Sequence, residues 1–214
     1  MFKRKPLTSL LLTLVVALLM TAAPASAAPL LKQGSKGGDV WDLQYRLQVL
    51  GYYQQPLDGK FGPHTRQAVK QFQRNYGLVA DGIAGRNTWR TLKKVSVNRE
   101  EMILLARLVH AEARGEPYVG QVAVAAVVMN RLQSPQFPHT IKGIIFEPYA
   151  FTAVDDGQFW LAPNQTAYRA AYDAVRGWDP SGGALYYFNP ATATSRWIWS
   201  RPQIKRIGQH IFAR

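Results

Sequence analysis

As a pattern of apolar and polar positions, the chain is most regular over 98–132. Leu104, Leu105, Leu108 and Val109 recur there at the spacing of one helix face. Asn98 suits the cap of that helix, Glu101 completes a capping box three residues on, and Val97 is placed to staple onto Met102. A helix is therefore predicted over 99–114. Glu112 lies four residues after Leu108 and three after Val109, so the pattern aims a carboxylate at the buried face. Desolvation, the negative end of its own helix and, if the helix continues that far, Glu116 one turn further on would favour its protonated form. A carboxyl group held partly protonated near neutral pH is what general-acid cleavage of a glycosidic bond requires. The same residues admit a second reading, in which Gly115 and Pro117 end the helix early and leave Glu112 solvated in its last turn. Over 121–129 nearly every residue is apolar, which predicts a helix enclosed on most sides and central to its domain. That run is too short to cross a bilayer.

Upstream, three shorter helical patterns alternate with turns. Val40, Leu43, Leu47 and Leu50 share one helix face, Val69, Phe72 and Tyr76 a second, and Trp89 with Leu92 a short third. The turns repeat: DGKFGPHT from Asp58 returns as DGIAGRNT from Asp81. Each copy combines an Asp-Gly turn, a second Gly and polar residues able to open a helix. A three-helix domain is predicted over 30–94, joined by the short connector 94–98 to a second domain over 98–214. A connector this short predicts two domains that touch.

The N-terminus changes the picture of where the chain works. Lys3, Arg4 and Lys5 precede an apolar run over 10–20, and Ala25-Ser26-Ala27 offers small residues for cleavage after Ala27. Residues 1–27 are read as an export signal; the competing reading, an uncleaved anchor, is opposed by the shortness of the run and by Thr13 within it. The chain has no cysteine, which removes disulfides, thiol nucleophiles and thiolate metal sites. Its net charge of +13 falls by three, to +10, once the signal is gone. Nucleic acid is the usual partner of so basic a protein. Export instead points to anionic wall polymer or membrane surface outside the cytoplasm.

Within the second domain, Pro135, Pro138, Pro148 and Pro163 break up the region 134–164. Phe151 to Gln158 is predicted to be a polar loop between aromatics, of the kind that contacts ligands. Asn164 or Thr166 caps a further helix through Tyr168, Tyr172 and Val175. Residues 185–188 and 197–199 are predicted strands, and 203–207 with 209–212 a hairpin around Gly208. The fold class expected is a small all-α three-helix domain followed by an α+β domain with a small antiparallel sheet. Trp160, Trp178 and Trp199 are expected in the core.

Two resemblances attach to these residues. The run GSKGGDVWDLQYRLQVLGYY, then DGKFGPHTRQAVKQFQRNYGL, then DGIAGRNTW resembles the peptidoglycan-binding domain of bacterial wall hydrolases. That resemblance implies a non-catalytic module holding glycan or stem peptide in a shallow groove. Arg66, Lys70, Arg74, Arg86 and Arg90 suit an anionic surface there, or simply form solvated helix faces. LLARLVHAEARGEPYVGQVAVAAVVMNRL, FTAVDDGQF and GWDPSGGALYYFNPATATSRWIWSRPQIKRIGQHIF resemble the catalytic domain of spore cortex-lytic enzymes of the SleB type. This resemblance implies a lysozyme- or transglycosylase-like fold and lytic transglycosylation of muramic-acid-containing glycan. It also implies that Glu112, the first glutamate of the A-E-A-x-G-E segment, is the catalytic residue, with Glu116 as the second acid of the motif.

The chemistry agrees with that reading. Hydrolysis of a glycoside normally takes two carboxyl groups, and only Asp155 and Asp156 offer themselves as partners of Glu112. Lytic transglycosylation takes fewer groups, because the sugar's own C6 hydroxyl attacks. Tyr187, Asn189 and Trp197 are candidates for positioning sugar rings, although each aromatic fits the core as well. A zinc amidase is disfavoured because His64, His110, His139 and His210 are scattered without ligand spacing; activity surviving EDTA would exclude it. A non-enzymatic wall-binding protein is opposed by the intact AEARGE segment. The expected site is thus Glu112 as acid, with Glu116, Thr152, Asp156, Gln158, Tyr187, Asn189 and Trp197 binding glycan, and no cofactor or metal. Peptidoglycan is the expected partner, an accessory spore protein a further one, and the wall or spore cortex the expected location. A true hydrolase is the alternative activity.

Overall fold

A computed structural model describes residues 28–214, so the export signal read at 1–27 lies outside the described residues. The first domain holds α1 (Gly38–Val49), α2 (Pro63–Asn75) and α3 (Arg86–Val95). Val40, Leu43, Leu47, Val69, Phe72, Trp89 and Leu92 form its core, as their spacing predicts, whereas Tyr76 falls at the end of α2 and stays 38% exposed. The repeat runs deeper than its turns. In each copy a buried glutamine grips the Asp-Gly turn that follows. Gln44 Nε2 donates to Asp58 Oδ1, the Lys60 carbonyl and Thr65 Oγ1, and Gln44 Oε1 accepts from the Gly59 N–H. Gln73 makes the same four bonds with Asp81, Ile83, Thr88 and Gly82. Gly59 and Gly82 take positive φ, 65° and 76°, which is why each turn carries glycine.

The second domain is built around α4 (Arg99–Ala113) and α5 (Tyr118–Gln133), followed by the short α6 (Ile141–Ile145) and α7 (Thr152–Asp155), then α8 (Gln165–Val175). The predicted cap of α4 forms in full. Asn98 Oδ1 accepts from the Glu101 N–H, and Glu101 Oε2 accepts from the Asn98 N–H, at 2.8 and 2.7 Å. Val97 and Met102 are both buried in the same core. The helix α5 runs through the middle of the domain with its apolar residues from Val122 to Met129 buried all round, packed by α3, α4, α6, α8 and the sheet, and among its apolar residues only Val119, in the first turn, is exposed. Asn164, rather than Thr166, caps α8.

The sheet has the order β1-β3-β2, from β1 (Tyr186–Phe188), β2 (Gln203–Ile207) and β3 (His210–Ala213), all pairs antiparallel. The hairpin around Gly208 is where it was predicted. The strand predicted over 197–199 is not: Arg196–Trp199 is a helical turn, α9. The reason is topological. Both β1 and β2 run antiparallel to β3, hence parallel to each other, so the chain between them must cross from one edge of the sheet to the other. The predicted loop 151–158 is likewise mostly helical, with α7 followed by a 3₁₀ turn over 158–160. The tryptophans expected in the core are at the surface: Trp160, Trp178 and Trp199 are 62%, 44% and 43% exposed. Their rings lie against Phe146, Tyr118 and Phe188, so each covers apolar surface with one part of the ring and meets water with the rest. No helix among the described residues is long and apolar enough to cross a membrane.

The two domains are in contact. Arg46 of α1, 3% exposed, pairs with Asp42 at 3.1 Å and with Glu101 of the α4 cap at 3.3 Å, and donates to the Ser96 carbonyl. Val49 of α1 belongs to the second domain's core.

Candidate active site

Leu105, Leu108 and Val109 face the core of α4, and Glu112 extends that face at the last turn, where the core gives way to a cleft. The segment entering α7 and the strand β1 form the cleft's other walls. Glu112 Oε1 accepts from the Ala153 N–H at 2.8 Å, and Oε2 accepts from the Tyr187 hydroxyl at 3.0 Å. Both oxygens are therefore held, one by each wall. Burial pushes the Glu112 pKa above the usual carboxylate value, the two hydrogen bonds oppose that rise, and the negative charge of Asp156 adds to it. Because burial also raises the Tyr187 phenol well above its ordinary pKa, Tyr187 remains a neutral donor to Glu112. Of the two readings of Glu112, the inward one is correct, but not by all the causes predicted. The helix ends at Ala113, so Glu116 is not one turn further on, and the nearby acid that acts on Glu112 is Asp156.

The cleft encloses about 460 Å³ and is lined by Glu112, Thr152, Tyr187 and Asn189, together with Arg131, His210 and the segment 192–195. A larger groove of about 620 Å³ runs along α8 past Tyr118. Its acid, Asp173, accepts from the Tyr118 hydroxyl at 2.6 Å.

Three of the seven predicted binding residues, Thr152, Tyr187 and Asn189, line the cleft beside Glu112. Asn189 uses its Oδ1 to accept from the Ala191 N–H, which shapes the turn after β1. Asp156 and Gln158 stand beyond it: Gln158 donates from both backbone and side chain to Asp156 and accepts from Arg114 at 2.6 Å. Two are not brought in. Glu116 Oε2 accepts from the Gln209 N–H at 3.0 Å, tying the α4–α5 turn to the β2–β3 turn, and Trp197 packs edge-on against Tyr186 beneath Arg201. Sequence reasoning missed the Ala153 N–H, Arg131 and His210. Arg131 had a signal, a lone cation inside an apolar helix. His210 had only its alternation with Phe212 along β3.

Comparison with known proteins completes the picture. The peptidoglycan binding domain family matches residues 36–92, and the family described as Cell Wall Hydrolase matches residues 115–213. A spore cortex-lytic enzyme of Bacillus cereus is 45% identical over 222 residues, covering 86% of this chain and 86% of that protein. The chain belongs to the spore cortex-lytic enzyme family. Solved structures agree with this family fold. The catalytic domain of the Bacillus cereus SleB protein is 61% identical, with a TM-score of 0.53, over 56% of this chain and 93% of that one. The catalytic domain of the germination-specific lytic transglycosylase SleB from Bacillus anthracis gives the same identity and TM-score over 55% and 97%. Along the chain the two family matches fall in the order binding domain, then hydrolase.

Proposed function

We propose that the protein is a lytic transglycosylase that cleaves the bond from muramic acid to N-acetylglucosamine in spore cortex peptidoglycan during germination, with Glu112 as its general acid and then its base. The observation that carries this reading is a half-buried carboxyl of raised pKa, fixed at both oxygens, that is the one acid among the described residues lining the cleft. In the first half of the reaction Glu112 protonates the glycosidic oxygen and the N-acetylglucosamine hydroxyl departs. The resulting carboxylate is stabilised by the Ala153 N–H and the Tyr187 hydroxyl, and takes the proton from the muramic acid C6 hydroxyl as that oxygen closes on C1. The product is a 1,6-anhydro sugar, and no water is consumed. Thr152, Tyr187 and Asn189 contact the sugars. Asp156 and Gln158 border the same glycan from outside the cleft, while Glu116 and Trp197 support the walls.

In this reading the first domain holds the strand. Its basic residues Arg66, Arg74, Arg86 and Arg90 are exposed, and a shallow cavity of about 250 Å³ lies between Tyr52, Tyr53 and His64. The chain is exported, its signal removed after Ala27, and it acts in the cortex or wall, alone or beside an accessory spore protein. A true hydrolase is the second reading, favoured only by the proximity of the Asp156 charge to Glu112. Mass spectrometry of muropeptides released from purified cortex tests the choice. Products ending in 1,6-anhydromuramic acid, absent with Glu112→Gln, support the transglycosylase; reducing ends support the hydrolase, and no release overturns both.

A further inference from the structure

We propose that Arg131 and His210 form a pair of donors beside Tyr187 that holds the amide carbonyl oxygen on the C2 nitrogen of the amino sugar bound against Glu112. The proposal rests on the glycan-cleaving reading above and names which substrate atom the cleft reads.

Arg131 is 5% exposed in a helix that is otherwise apolar over most of its length. Its Nε donates to the Leu185 carbonyl at 2.7 Å. The guanidinium carbon lies 5.0 Å from the Phe137 ring, 5.0 Å from Phe151 and 5.4 Å from Tyr186. Among the described residues no carboxylate pairs with it, whereas the other buried arginine, Arg46, has two. A buried charge is ordinarily paired, since leaving it alone is costly. The aromatic faces fix the guanidinium plane but do not use its in-plane N–H groups. Those groups belong to a side chain that lines the Glu112 cleft. Packing alone does not call for a cation here, because a methionine would fill the same cage.

His210 lines the cleft from the opposite strand. It is 8% exposed, its ring is 5.0 Å from Tyr187, and its Nδ1 is buried without a partner. An orphaned buried N–H is rarer and costlier than an orphaned lone pair, so the ring's proton sits on Nε2. Burial holds the imidazole neutral, against the pull of Glu116. Both groups therefore offer donors and no acceptor to the space around Tyr187, whose own hydroxyl is committed to Glu112. Two donors side by side select an oxygen lone pair and disfavour an ammonium at that corner of the cleft. On a wall glycan strand the rigid, strongly accepting oxygen on every ring is the amide carbonyl at C2; removing the acyl group replaces it with an ammonium facing Arg131.

The test compares turnover of N-acetylated wall glycan with turnover of the same glycan after chemical N-deacetylation, for the mature protein, His210→Phe, His210→Gln and Arg131→Met. The ratio of kcat/KM between the two glycans is read, with thermal melts to confirm folding. The wild type is expected to favour the acetylated glycan by at least tenfold. His210→Phe should reduce that ratio about fivefold, the worth of one neutral hydrogen bond, and Arg131→Met by about ten- to hundredfold. His210→Gln, whose amide nitrogen lies near the position of Nε2, should restore most of it. If His210→Phe and Arg131→Met each lose activity equally on the two glycans, or the wild type shows no preference, the proposal is overturned. Should Arg131→Met fail to fold, the His210 pair decides. A wild type inactive on every glycan would instead refute the glycan-cleaving reading itself.

Discussion

Replacing Glu112 by glutamine should abolish turnover and raise stability, and both effects follow from the site's geometry. The amide keeps the carboxylate's shape. Its oxygen takes the Ala153 N–H that Oε1 now accepts at 2.8 Å, and its NH2 meets the Tyr187 hydroxyl, which turns to accept. Only the transferable proton is lost. One positioned acid or base contributes roughly 10²- to 10⁴-fold, and here one residue serves both halves of the reaction, so the upper figure applies, about 5.5 kcal/mol of barrier. Stability moves the other way. Burial raises the Glu112 pKa, so the folded state holds this proton more tightly than the unfolded chain does. That contribution is complete below the unfolded carboxyl pKa and is lost as pH rises through the folded one. Above that window the wild type carries a desolvated carboxylate that the amide avoids, so Glu112→Gln should melt higher there, with the advantage shrinking in acid. Glu112→Ala distinguishes shape from charge. It leaves both the Ala153 N–H and the Tyr187 hydroxyl without their acceptor, worth about 1 kcal/mol each because the cleft admits water, and offsets the gain by about 4–8 °C. Muropeptide release and thermal melts at about pH 4 and about pH 8 measure both effects. Activity of Glu112→Gln within about tenfold of wild type, or a lower melting point at the higher pH, would refute the reasoning.

Further outcomes follow from single contacts. Tyr187→Phe removes a hydrogen bond that favours the charged form of Glu112, so the alkaline limb of the pH–rate profile should move to higher pH; a shift to lower pH would contradict the assigned bond. Arg46→Met leaves Asp42 and Glu101 unpaired at the domain junction. The expected loss is about 2 kcal/mol, below the 3–5 of a fully buried pair because those acid side chains keep 31% and 22% exposure, and urea unfolding measures it. Gln44→Leu and Gln73→Leu each strip a glycine N–H and an aspartate of their partner, so each should destabilise by about 2–3 kcal/mol, with the larger loss at Gln44, which also donates to the buried Tyr53 hydroxyl at 3.1 Å. A larger loss at Gln73 in calorimetry would contradict these contacts.

How far the sequence foretold all this depends on whether a feature was local. The α4 cap, the three helices of the first domain and the β2–β3 hairpin are set by residues within a turn or two of each other, and each was legible, whereas the helix pattern left the inward aim of Glu112 as one of two readings. The α9 segment was misread because Trp197, Ile198 and Trp199 have strand composition, while their conformation is decided by a crossover between strands on either side of β3. The tryptophans misled for a related reason: a large ring can bury one part and expose the rest. Within the site, the Ala153 N–H left no trace in the sequence, because any residue supplies a backbone N–H and only the fold chooses which. Glu116 sits in a motif beside Glu112, yet its partner is Gln209 across the domain. Sequence proximity to the acid did not imply membership of the cleft.

The contact between the domains bears on how the acid finds its bond. Arg46 belongs to the binding module, yet its guanidinium joins Glu101, the residue that closes the cap of α4. Glu112 stands in the last turn of that same helix, 15 residues long, or about 22 Å from end to end at 1.5 Å per residue. One helix therefore has the module fastened at its first turn and the proposed acid, Glu112, at its last. A flexible tether would let a captured strand present any bond within reach. Here the joint is a buried arginine that pairs with Glu101 across it and with Asp42 on its own helix, and Val49 of the module is part of the second domain's core. If the module holds a strand as proposed, that strand would reach Glu112 at a fixed offset, and binding would then select the position of the cut while the cleft governs the rate of each cleavage.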